Sequence, residues 1–175
     1  MSRRLTVVPL LVALAGCPGE GGNGEDLLGD VVRLDDASEE VLAVIADHLD
    51  REGPIVADAA AQLNAPVDAA VLPRDPALTL TWTLPPVTSS GTGWWHGIDT
   101  GTFVWIRIDG GTLTEPIDVV ALTSEQYQIS PTRWVRLMDA GGPFTATITT
   151  TVVDRAVIVD GPFQSADPDV EFSIE

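Results

Sequence analysis

Leu78-Thr79-Leu80-Thr81-Trp82-Thr83-Leu84 sets a large apolar side chain at every second position with threonine between. Successive side chains of an extended strand point to opposite faces, so this stretch predicts a strand with one dry and one wet face. Phe144, Ala146, Ile148 and Val152 alternate with Thr145, Thr147, Thr149 and Thr151 in the same way, and Val170, Phe172 and Ile174 alternate with Glu171, Ser173 and Glu175. Residues 103–108 and 118–122 are more uniformly apolar, as central strands are. Gly110-Gly111, Gly141-Gly142 and Gly161-Pro162 supply turn signals. No strand–helix alternation suggests a parallel sheet, so residues 73–175 read as a mainly β, antiparallel sandwich of two sheets.

One helix is expected inside that region. Ser130 would cap it, Pro131 suits its first position, and Trp134, Leu137 and Met138 share a face over residues 131–138. Before Pro73 the apolar period is 3.6 rather than 2. Asp36-Ala37-Ser38-Glu39 reads as a capping box, Gly53-Pro54 as a stop, and Val41, Leu42, Ile45 and Leu49 form the buried stripe of one helix. Residues 55–63, rich in alanine, read as a second short helix, although Ile55-Val56 equally suits the start of a strand. The sandwich is thus preceded by one or two short helices within a segment 35–72.

The chain begins with Arg3-Arg4, an apolar run over residues 5–15, and Leu14-Ala15-Gly16-Cys17. This resembles the signal of a bacterial lipoprotein, whose lipobox places leucine, a small residue, and glycine or alanine before the modified cysteine. The resemblance covers residues 1–17. It implies lipid attached to Cys17, cleavage before it with Leu14, Ala15 and Gly16 recognised by the signal peptidase, and a mature chain starting at Cys17. A plain secretory signal is the alternative. A spanning helix is excluded by length, because 11 residues rise only about 16 Å, half a hydrocarbon core. Cys17 is the single cysteine, so no intramolecular disulfide can form.

Residues 17–34 begin with a glycine-rich, acidic stretch that reads as a flexible tether, about 20 Å in reach over a dozen residues. Pro18 stands where some bacteria use aspartate for inner-membrane retention, so the resemblance implies the outer membrane rather than the inner. The mature chain keeps seven arginines and no lysine against 26 acidic residues, a formal charge of −19. Such a surface repels phosphate backbones, which argues against nucleic acid as a partner.

Leu78-Thr79-Leu80-Thr81-Trp82 followed by Pro85-Pro86 resembles the second strand of a fibronectin type III or related immunoglobulin-like domain, and a span of about 100 residues suits that fold. The chain departs from the fibronectin pattern in lacking a tyrosine in the penultimate strand and in carrying the helix at 131–138.

Chemistry-bearing motifs are scarce. With His48 and His96 as the only histidines and no second cysteine, most zinc and nucleophile–histidine arrangements cannot be assembled. His48 reads as a surface group. Asp109-Gly110-Gly111 and Asp167-Pro168-Asp169 read as turns rather than calcium loops. No metal or cofactor is expected and no catalytic residue is assigned. Gly91-Thr92-Gly93-Trp94-Trp95-His96-Gly97 is the one binding candidate. Adjacent strand residues face opposite ways, so one indole of Trp94 and Trp95 is a candidate to stack on a sugar ring beside His96, or to anchor a protein. The competing reading packs that indole under a loop, and Trp82, Trp105 and Trp134 read as core. The expectation is a non-catalytic lipoprotein of the cell envelope, anchored in the membrane through Cys17 and acting as a structural or protein-interaction module. The alternative is a carbohydrate-binding lipoprotein using Trp94 and Trp95.

Overall fold

The computed structural model describes residues 31–58, 60–84 and 100–175. The lipobox, Cys17 and the Trp94-Trp95-His96 cluster lie outside the described residues. In chain order the elements are β1 (Val31–Arg33), α1 (Glu39–Glu52), β2 (Ile55–Val56), β3 (Gln62–Ala65), β4 (Ala70–Leu72), β5 (Thr79–Thr83) and β6 (Gly101–Gly110). There follow β7 (Ile117–Ala121), β8 (Gln126–Gln128), α2 (Pro131–Ala140), β9 (Phe144–Asp154), β10 (Val157–Gln164) and β11 (Asp169–Ile174). The protein is mainly β.

A large sheet runs β1-β7-β6-β9, and β10 and β11 then share the far edge of β9, with β2 outside β10 and β4 outside β11. Beside it, β3, β5 and β8 form a small antiparallel sheet. The pleat sorts the core into two clusters. Val104, Ile106 and Ile108 of β6, with Ile117 and Val119 of β7 and Phe144, Ala146 and Ile148 of β9, face Leu80 and Trp82 of the small sheet and Trp134 and Leu137 of α2. Phe103 and Trp105 point the other way, with Val120 and Val153, onto Val41, Leu42 and Ile45 of α1. The central strands are therefore covered on both sides, and this explains why residues 103–108 and 117–121 lack alternation.

The large sheet is mixed, which corrects the expectation of an antiparallel fold. β7, β6, β9, β10 and β11 pair antiparallel, but β1 runs parallel to β7, β2 to β10 and β4 to β11. Every parallel strand comes from residues 31–72. A parallel neighbour cannot be reached by a tight turn, and in each of these pairs several elements separate the partners in the chain. At two or three residues, β1, β2 and β4 are too short to display any period.

The second helix expected over 55–63 is not formed, and Ile55-Val56 starts a strand as the other reading had it. Alanine propensity is overridden by packing. Ala60 and Ala61 are buried, and the Ala61 N–H donates to Thr150 Oγ1 at 2.8 Å, an approach that small side chains permit.

The first helix matches its stripe: Val41, Leu42 and Ile45 are buried, and Leu49 packs against them. Its cap is Ser38, whose hydroxyl accepts from the Val41 N–H at 3.2 Å, so the capping box read from Asp36 is displaced by two residues. It ends at Gly53, with φ 67°. α2 is confirmed, two residues longer than expected, but its N-cap Ser130 makes no capping bond from its side chain.

Alternation in β9 holds through Ile148 and then breaks, since Thr149, Thr150 and Thr151 are all buried and Val153, rather than Val152, enters the core. The hydroxyls make this tolerable where they are bonded, Thr150 to Ala61 and Thr149 Oγ1 to Gln164 Nε2 at 3.0 Å. Gly161-Pro162 is no inter-strand turn. It lies within β10 at a register shift, and Phe163 still pairs with Thr150 beyond it.

The turn joining β9 to β10 is built on Arg155 and Ala156, at φ 51° and 58°. Both are left-handed, a geometry that Asn-Gly adopts readily and alanine does not. The double substitution Arg155→Asn/Ala156→Gly is expected to raise stability by about 1 kcal/mol, after allowance for the freer unfolded chain. Chemical denaturation checks it; an unchanged or lowered midpoint contradicts the strain.

Candidate functional site

Three polar arrangements stand out among the described residues. On the helix-covered face of the large sheet, Trp105, Arg107 and Asp118 converge across the β6–β7 ladder, where Arg107 is the cross-strand partner of Asp118. The Trp105 indole N–H donates to Asp118 Oδ1 at 2.7 Å, and Arg107 donates from Nε to Oδ1 at 2.9 Å and from Nη2 to Oδ2 at 3.0 Å. Asp118 is 6% exposed. Its hydrogen bond holds the Arg107 guanidinium above its ordinary value, against the opposing effect of burial. The carboxylate is committed to three donors inside the fold, so the trio joins two strands rather than meeting a ligand.

Asp35 secures the chain leaving β1. It sits at φ 62°, a conformation aspartate tolerates better than most residues. Its Oδ2 accepts the N–H groups of Leu122, Thr123 and Ser124 at 3.1, 2.8 and 2.8 Å, and Oδ1 accepts the Ser124 hydroxyl at 2.8 Å. Burial pushes this carboxyl up, but the bonds from Thr123, Ser124 and Leu122 outweigh it and lower the value to about 2. The charged form is therefore bound more tightly when folded. Its contribution is complete above the ordinary value of 3.8 and fades as pH falls through about 2. Asp35→Asn is expected to lower stability by about 1–2 kcal/mol at pH 7, discounted for partial solvent screening, and by progressively less between pH 4 and 2. Urea titrations across that range test it; a difference independent of pH removes the assigned role.

The third arrangement is a cleft of about 460 Å³ beside β9 of the large sheet. Leu63, Ile148 and Val170 give it apolar walls, and Asp58, Gln62, Ser165 and Asp167 bring polar groups. Residues 165–168, which join β10 to β11, line it together with Ala57 and Asp58 after β2. Periodicity carries no signal for such a cleft, since strand residues and irregular connections far apart in the chain line it together. Asp167 lines it, whereas Asp169 leaves it to accept the Thr147 hydroxyl at 2.6 Å. Asp109 Oδ1 accepts the N–H of Gly110 at 2.7 Å. Both aspartate-rich stretches are turns or strand ends, and among the described residues no three metal-ligating side chains gather.

Of the residues singled out from the sequence, His48 is a half-buried group on α1, 3.5 Å from Glu52. Trp82, Trp105 and Trp134 are core at 2, 5 and 4% exposure, and the Trp134 indole donates to the Arg74 carbonyl at 2.7 Å. These features define a two-sheet β protein with a helix on the outer face of its larger, mixed sheet. No protein-family model, no curated protein and no solved structure matches the chain.

Proposed function

We propose that this chain is a lipid-anchored protein of the bacterial cell envelope, more at home in the outer than the inner membrane, with an immunoglobulin-like sandwich acting as a non-catalytic structural or protein-interaction module. The observation that carries this reading is Leu14-Ala15-Gly16-Cys17 at the end of a short apolar run, with Cys17 the single cysteine. The β1 strand starts at Val31, so residues 18–30 stand between the acyl chains and the first strand. A dozen such residues give about 20 Å of reach. Two or three acyl chains hold a protein in a bilayer where one does so marginally, so no spanning segment is required. Among the described residues no helix is long and apolar enough to cross a membrane. The face-to-face packing of Leu80 and Trp82 on Ile106 and Ile148 supports the immunoglobulin-like reading, while the parallel pairs of the large sheet stand outside that pattern.

The test is expression of the full chain in a bacterial host with labelled palmitate, followed by mass spectrometry of the mature N-terminus. Label is expected on the wild type, with the chain beginning at an acylated Cys17, and none on Cys17→Ala. An unmodified Cys17 thiol in the mature protein overturns the anchor. Cross-linking in intact envelopes, expected to give one stoichiometric protein partner, tests the module.

A further inference from the structure

We draw no further inference here: the strongest candidate, the half-open cleft between the β2–β3 crossing and the loop joining β10 to β11, offers two exposed carboxylates over apolar walls in a chain rich in acids everywhere, and nothing in the structure shows what covers it.

Discussion

Gly111→Ala is expected to destabilise the fold by about 2–5 kcal/mol, through left-handed strain of about 1–2 kcal/mol and overpacking of about 1–3 kcal/mol. The residue follows β6 at φ 56°, where the β6–β7 turn meets the end of α2 backbone to backbone. The Gly111 N–H donates to the Pro143 carbonyl at 3.0 Å, and the Thr112 N–H to the Ala140 carbonyl at 3.0 Å. A Cβ on Gly111 would lie 2.3 Å from the Gly141 carbonyl oxygen and 2.9 Å from that of Ala140. Backbone cannot step aside as a flexible side chain can, so one of these bonds must open. Gly141 is the internal control. Its φ is 60°, nearly that of Gly111, but a Cβ there meets nothing within 4 Å. Gly141→Ala should therefore cost about 1–2 kcal/mol, the conformational part alone. Thermal unfolding separates the two, with a loss of about 10 °C for Gly111→Ala and less than half of that for Gly141→Ala. Equal losses would mean that the backbone contact between the turn and α2 contributes nothing.

Asp118→Ala should lower stability by about 3 kcal/mol, and by more than Arg107→Ala does. The asymmetry follows from burial. Asp118 is buried and accepts three hydrogen bonds from two residues, whereas the Arg107 side chain is 53% exposed and regains water when its partner is lost. Deleting the carboxylate leaves the Trp105 indole N–H buried without an acceptor, which costs about 1–3 kcal/mol by itself. Deleting the guanidinium orphans less and should cost about 1 kcal/mol. The double variant should fall short of additivity by about 1 kcal/mol, as groups within one network do. Trp105→Phe in the Asp118→Ala background separates the indole's share, because no buried N–H then remains to be satisfied. Strict additivity, or equal losses from the two single substitutions, would show that the trio is not a coupled unit.

Both predictions rest on features that are unequally visible in the sequence. Gly110-Gly111 and Gly141-Gly142 announce turns, but nothing in their order says that the two turns touch. Asp118 sits inside an apolar run, yet its partners are 11 and 13 residues away, joined only by the register of β6 with β7. The strands β5, β9 and β11 and the stripe of α1 were legible because they extend over enough residues for a period to repeat, and β6 and β7 because they are uniformly apolar runs. The three threonines at 149–151 broke the pattern in β9 because both of its faces are covered there, one by the helix layer and one by the small sheet. The cleft beside β9 had no signal, being lined by residues of several strands and connections far apart in the chain.

By itself the sequence determined the β-rich class, the two helices and their apolar faces, the buried tryptophans at 82, 105 and 134, and the acidic character of the chain. These follow from local rules, the period of two or 3.6 and the burial of large apolar groups. Only the tertiary structure decided that residues 31–72 add parallel strands to the large sheet, that the alanine-rich stretch links two strands rather than forming a helix, and that α1 covers the second face. Pairing partners are chosen by hydrogen bonds and packing between segments far apart in the chain. A strand of two or three residues carries too little information to name its neighbour.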